Sequence, residues 1–227
     1  FHSGHLNIVQ LALTKSQYLI ILIGSAYQAR TIKNPWTCEE REDMIRSCFD
    51  YSENERIKIG YIEDYLYNEN EWVVQSSATV HKELIAIGLT EESNVSLIGH
   101  HKDESSYYLD LFPQWGYVET ENTAKLNATD IRRDYLDPEQ KREVNWDDLP
   151  LPVSEYIQAW KSTPEFQLLL EEALFYQEHE AQWIDSPYDP TFNTSDAVVI
   201  QAGHVLLVER KNCPGKFQLA LPGGYLD

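Results

Sequence analysis

One unit recurs along this chain and constrains its fold more than anything else: a short candidate strand, a glycine, then helical spacing. Tyr18-Leu19-Ile20-Ile21-Leu22-Ile23 runs into Gly24-Ser25, as a strand covered on both faces would read. A second candidate strand covers residues 57–62, with a helix expected from about 71 to 87. A third covers residues 95–98 and ends in Gly99, with a helix expected near 105–112. Ahead of the first strand, Leu6, Ile8, Val9, Ala12 and Leu13 keep helical spacing to about Thr14. Strand, glycine turn and helix repeated in this way specify a doubly wound parallel α/β sheet. Such sheets receive ligands at the carboxyl ends of their strands. Here those ends are Gly24-Ser25, the loop after Ile62, and Gly99-His100-His101-Lys102-Asp103.

Composition narrows what could bind there. With 42% hydrophobic residues, 6 Trp and 14 Tyr, the chain can bury a core. Its formal net charge of −19 disfavours nucleic acid, whose binding needs a basic footprint. A phosphate-bearing ligand must therefore be held by a local cluster against the overall field. Residues 18–24, the most apolar stretch, are too few to cross a bilayer, so no membrane partner is expected. The odd set Cys38, Cys48 and Cys213 lacks metal-ligand spacing and points to a reducing, cytoplasmic setting.

Beyond Asp137 the chain turns acidic and helical, with amphipathic stretches at 155–160 and 164–183. Glu171-Glu172 and Glu178-His179-Glu180 read as a solvated face. Residues 186–195, including Ser186-Pro187-Tyr188-Asp189-Pro190, read as a linker. A hairpin is expected from 197–200 and 205–208 around a turn at Ala202-Gly203. A further strand is expected at 217–221, with Pro222-Gly223-Gly224 as a turn. About thirty β-rich residues are too few to bury their own core, so residues 196–227 read as the opening of a second domain after a first spanning 1–185.

Two segments carry chemistry. His2-Ser3-Gly4-His5 opens the first helix, where unpaired N–H groups and a partial positive charge favour phosphate. Gly4 admits a polyanion close to the backbone, and His2 and His5 can donate to phosphoryl oxygens. Downstream, Leu126-Asn127-Ala128-Thr129-Asp130-Ile131-Arg132-Arg133 sets a hydroxyl and a guanidinium three residues apart at a helix start. Alone, each is equally a pair of surface histidines or a capped helix with a solvated arginine pair. His100 and His101 suggest a metal, but adjacent side chains point apart and no third ligand is evident, so no metal site is expected.

Together the two segments resemble the paired signatures of the HxGH nucleotidylyltransferase superfamily, which implies a Rossmann-like sheet. Ile23-Gly24-Ser25-Ala26, Arg30-Thr31, Lys33-Asn34-Pro35-Trp36-Thr37 and Glu40-Arg41 are similar to the nicotinamide mononucleotide (NMN) adenylyltransferase branch. Leu221-Pro222-Gly223-Gly224 resembles the approach to a Nudix box, so the order resembles bacterial bifunctional NMN adenylyltransferase/Nudix hydrolases. That family's first strand would precede Phe1, and its Nudix glutamates would follow Asp227; we therefore expect a longer parent protein.

The resemblance implies transfer of the adenylyl group of ATP to NMN, giving NAD and pyrophosphate, with Mg²⁺ bridging the phosphates. It implies that His2, Gly4, His5, Thr129 and Arg132 hold ATP phosphates, with His2, His5 and Arg132 catalytic. Gly99 and Asp103 would face the adenosine. Gly24, Ser25, Asn34, Arg41 and Trp72 would serve NMN, Trp72 by offering an indole face to the pyridinium, unless it is simply core. The Nudix part would act on ADP-ribose or a related nucleoside diphosphate. Alternatives are a regulatory NAD or ADP-ribose sensor, or a transferase for another acceptor such as pantetheine phosphate or nicotinate mononucleotide. A homo-oligomer is compatible with the sequence and not required by it.

Overall fold

The computed structural model describes residues 1–90, 94–100, 104–120, 126–188 and 190–225. They form two compact units, one of residues 1–28, 36–131 and 144–160, the other of residues 29–35, 132–143 and 161–227.

In the first unit, helix α1 (Ser3–Lys15) buries Val9, Ala12 and Leu13 along one stripe. It leads into strand β1 (Leu19–Ile23), and after helices α2 (Cys38–Arg46) and α3 (Tyr51–Arg56) comes β2 (Ile57–Tyr61). The two strands pair in parallel, from Leu19 opposite Ile57 to Ile23 opposite Tyr61. Both intervening helices start with a reciprocal cap. Thr37 Oγ1 accepts the Glu40 N–H at 3.2 Å while the Glu40 carboxylate accepts the Thr37 N–H at 2.8 Å. Asp50 and Glu53 repeat the exchange at 2.9 and 3.0 Å. Around this pair lies a core of Val9, Leu13, Ile23, Ala26, Cys38, Ile45, Phe49 and Ile57.

Helix α4 (Glu69–Ala86) starts at Asn68, whose side chain accepts the Glu71 N–H at 3.2 Å. It packs so closely on β2 that a Cβ at Gly60 would run into the Thr79 methyl. A second parallel pair follows, β3 (Ser96–Gly99) with β4 (Gly116–Glu119). Helix α5 (Ala128–Tyr135) starts in this unit, and α6 (Leu151–Trp160) buries Val153, Ile157 and Trp160.

Three expectations need correction here. Residues 104–111 form a 3-10 helix, not an α-helix. Strand β1 is not covered on both faces: Leu19 to Leu22 are half-buried and Ile23 alone is buried. The first helix reaches Lys15 and the fourth begins two residues earlier than expected, at Glu69, because Asn68 supplies the cap.

In the second unit, α7 (Pro164–Ala181) begins at the cap Thr163 with Pro164 in its first turn. The expected solvated acidic face is partly buried. Glu172 is 7% exposed and accepts the Gly215 N–H at 2.8 Å, while Glu171 pairs with Lys216 at 2.7 Å. A loop from a distant stretch of chain folds back onto the helix, which spacing alone does not reveal. Upstream, the buried Asp137 carboxylate gathers the N–H groups of Glu139, Lys141 and Arg142.

The C-terminal strands are short: β5 (Thr194–Asp196), β6 (Ile200–Gln201), β7 (His204–Val205), β8 (Val208–Glu209), β9 (Leu219–Ala220) and β10 (Gly223–Tyr225). The hairpin survives as β6 with β7 around left-handed Ala202 and Gly203. Residues 222–224 are not a turn. Gly223 and Gly224 lie in β10, antiparallel to β5, so Thr194 and Ser195 pair where a linker was expected. Nine apolar side chains here, Val198, Val199, Ile200, Val205, Leu206, Leu207, Val208, Phe217 and Leu219, are exposed. Among the described residues no helix is long and apolar enough to cross a membrane.

Candidate functional site

His2 stands just before the first turn of α1, and its backbone carbonyl accepts the His5 and Leu6 N–H groups at 2.9 and 3.1 Å. The two imidazoles stack with ring centroids 3.8 Å apart, and the His2 N–H donates to His5 Nδ1 at 3.4 Å. A neutral His5 therefore carries its proton on Nε2, ready to donate. Burial among packed neighbours lowers the His5 pKa to about 3, with the charges of His2, the amino group at Phe1 and His100 adding in that order. By surface area His5 is nonetheless an exposed residue, so solvent moderates the burial penalty and only the downward direction stands. The direction is toward a neutral His5 ring at a helix start rich in N–H donors. An arriving polyphosphate would reverse that balance and favour the imidazolium.

His100 follows β3 and was expected as part of a strand end, after a metal-ligand reading with His101 was set aside. Its Nδ1 is buried without a hydrogen-bond partner among the described residues. Gly99 closes β3, and its carbonyl accepts the Thr120 N–H at 2.7 Å and the Tyr117 hydroxyl at 3.0 Å. Asp103 lies outside the described residues.

The Gly24-Ser25 turn leaves β1 in an arrangement gripped from two sides. Arg41 donates to the Gly24 carbonyl at 2.8 Å and to the Ser25 carbonyl at 3.3 Å. Its Nε donates to the Thr37 carbonyl at 3.2 Å. Asp64 takes the donor side, accepting the Ser25 N–H at 3.2 Å, the Ser25 hydroxyl at 2.8 Å and Gln28 Nε2 at 2.9 Å. The left-handed residues of the turn are Ser25 and Tyr27, with φ of 51° and 57°. Gly24 faces open space, where a Cβ would meet nothing within 4 Å. Asp64 and Gln28 escaped sequence reasoning. The available signal was an acid two residues past β2's buried neighbour Ile62, in a loop already read as ligand-facing.

Trp72 is half-buried in the first turns of α4, with its ring 5.8 Å from Phe112, which stacks on Trp115 at 4.6 Å. Thr129 is exposed in the first turn of α5, and Asn127 supplies the cap, accepting the Thr129 N–H at 3.0 Å. Sequence reasoning had set the hydroxyl of Thr129 at the helix start and allowed a capped helix, without naming Asn127 as the cap. Arg132 lies one turn on, half-buried, where burial lowers its pKa. Arg132 belongs to the second unit, as does Asn34, whose N–H donates to Thr31 Oγ1 at 3.0 Å. His2, Gly4, His5, Gly24, Ser25, Arg41, Trp72, Gly99 and Thr129 all belong to the first unit.

Parallel strand pairs with helical crossovers, and a histidine-bearing helix start, define a Rossmann-like nucleotidylyltransferase layer. Residues 1–134 match the cytidylyltransferase-like family, and the chain belongs to it. It is 44% identical over 138 residues to a nicotinamide/nicotinic acid mononucleotide adenylyltransferase of Acinetobacter baylyi, covering 60% of this chain and 70% of the relative. With a nicotinamide-nucleotide adenylyltransferase of Saccharolobus solfataricus it shares 32% identity over 163 residues, 69% of this chain and 83% of the relative. The crystal structure of a bifunctional NMN adenylyltransferase/ADP ribose pyrophosphatase from Francisella tularensis, complexed with AMP and a Mn ion, superposes with a TM-score of 0.87 at 31% identity. That likeness covers 100% of this chain, which spans 65% of the length of the Francisella chain.

Proposed function

We propose that this chain transfers the adenylyl group of ATP to NMN, forming NAD and pyrophosphate. The observation that carries the reading is the stacked His2–His5 pair at the start of α1, in a chain 44% identical to an enzyme named for this reaction. An oxygen of the NMN phosphate forms a bond to the α-phosphorus of ATP as the bond to the bridging oxygen breaks, and pyrophosphate leaves with the electron pair. A phosphate monoester is already nucleophilic at neutral pH, so the protein contributes positioning and charge stabilisation. His2 and His5 donate to oxygens around the reacting phosphorus, and Gly4 leaves room for them. Thr129 and Arg132 take the departing pyrophosphate, and Gly99 faces the adenosine. Gly24, Ser25, Asn34, Arg41 and Trp72 shape or contact the NMN side.

A divalent cation fits this scheme as part of the nucleotide. Among the described residues, no group of three or more His, Cys, Asp and Glu side chains converges to hold a metal. Mg²⁺ ordinarily keeps waters and binds substrate phosphates, so it enters here as Mg-ATP substrate. The Francisella neighbour holds Mn, which accords with a divalent requirement.

We assign the transferase to residues 1–185 and the start of a Nudix domain to the β-rich residues up to 227, the linker between them giving way to β5 at Thr194. A second, pyrophosphohydrolase activity, on ADP-ribose or a related nucleoside diphosphate, would need glutamates beyond those of residues 196–227. Residues 196–227 carry a single glutamate, Glu209, too few for that chemistry. The free thiols Cys38, Cys48 and Cys213 suit a cytoplasmic setting.

The test is NAD formation from NMN, ATP and Mg²⁺ by the full-length protein. His5→Ala and Arg132→Ala should each lower kcat by about 10²–10³ with the fold intact. No turnover by well-folded protein that binds NAD or ADP-ribose tightly would replace the transferase with a sensor.

A further inference from the structure

We propose that Asp64 is a positioning residue for the NMN side of the site, acting through the Gly24-Ser25 turn. The assignment rests on the transferase reading above. A non-glycine residue in the left-handed region is strained and persists only where its surroundings over-determine it. Ser25 and Tyr27 both sit there, two residues apart. What holds them is a division of labour around one short segment. Backbone bonds fix its two ends, from the Ile62 N–H to the Ile23 carbonyl and from the Ala26 N–H to the Ile62 carbonyl, both at 2.9 Å. Arg41 takes the carbonyls of Gly24 and Ser25. Asp64 answers the donors of Ser25 and Gln28, with three bonds from Ser25 N, Ser25 Oγ and Gln28 Nε2.

Two other roles for Asp64 fare worse. As a general base it would have no proton to remove, because the NMN phosphate is largely dianionic at neutral pH. As a direct ligand it would face that phosphate with like charge, and its lone pairs are already committed to Ser25 and Gln28. The same geometry defines what Ser25 contributes. Its N–H and hydroxyl both point to Asp64, so Ser25 enters the site through the course of its backbone and not as a phosphate donor.

The test uses full-length protein and steady-state kinetics with each substrate varied in turn. Asp64→Ala should raise KM for NMN by roughly 10-fold to 100-fold, with KM for ATP and the melting temperature little changed. Asp64→Asn, which keeps one acceptor, should fall between. Ser25→Gly placed in the Asp64→Ala background should recover much of the loss, because glycine takes a left-handed φ without strain. An unchanged KM for NMN in Asp64→Ala overturns the assignment. So does a loss that Ser25→Gly fails to rescue, or one that falls on kcat or ATP alone. If the unaltered protein forms no NAD, the transferase reading itself fails and the assignment falls with it.

Discussion

His5 shows how a single side chain can link site and stability. Its pKa is lowered from about 6.5 to about 3 by burial and by neighbouring imidazoles. Between those values the unfolded chain binds a proton at this residue that the folded chain does not. Stability from His5 is therefore complete above pH 6.5 and is lost as pH falls toward 3. Replacing it by a residue that cannot titrate removes the dependence. We expect His5→Gln to gain stability relative to the unaltered protein between pH 7 and 4.5, read by urea unfolding at both values. Equal pH dependence in the two proteins would show that His5 is not held neutral. The His2-Ser3-Gly4-His5 spacing marked this helix start in the sequence. The contribution of His100 was not legible, because β3 brings it to His5 from far along the chain. Asp64 was hidden for the same reason: its partners Ser25 and Gln28 lie 39 and 36 residues away.

Among the elements of the first unit, β2 and α4 fit closely. Gly60 is buried, and an added Cβ would meet the Thr79 methyl and, at 3.1 Å, a Leu22 methyl. Gly60→Ala should cost about 1–3 kcal/mol through overpacking, and Thr79→Ser in the same chain should recover part of it. Thermal unfolding of the single and double variants checks this; a neutral Gly60→Ala would mean the helix shifts freely. A continuous apolar run made β1 legible, while β2 and β3 showed shorter apolar patterns broken by Lys58 and Gly60 or bounded by Ser96 and Gly99. Strand β4 was missed because Gly-Tyr-Val-Glu offers one half-buried side chain and no run. Helices α2 and α3 were missed for the opposite reason, being dense in charge with few apolar positions. Their capping boxes were the readable signal. In α2 that signal hid inside the Thr37…Glu40 segment, which resembles an NMN signature and also serves as a helix cap. In residues 194–225 the strands shrank to two or three residues each, since apolar alternation predicts a strand only where a second layer covers it.

Across the whole chain, a net charge of −19 opposes every phosphate-bearing substrate the proposal requires. Screening weakens that repulsion, with a Debye length falling from about 30 Å at 0.01 M to about 8 Å at 0.15 M. We therefore expect KM for ATP, at saturating Mg²⁺, to fall as salt rises over that range. A KM that climbs steadily with salt would mean a local cationic funnel outweighs the global field. Composition made the sign of this field legible, but not which surface would stay uncovered. The apolar side chains between Val198 and Leu219 have a consequence of their own. Short β-pairs with greasy, open flanks are adhesive, and what keeps two copies from sticking is mutual repulsion between like-charged molecules. Salt that eases the nucleotide's approach also dulls that repulsion, so a clear solution of these 227 residues is balanced between sluggish encounter and turbidity.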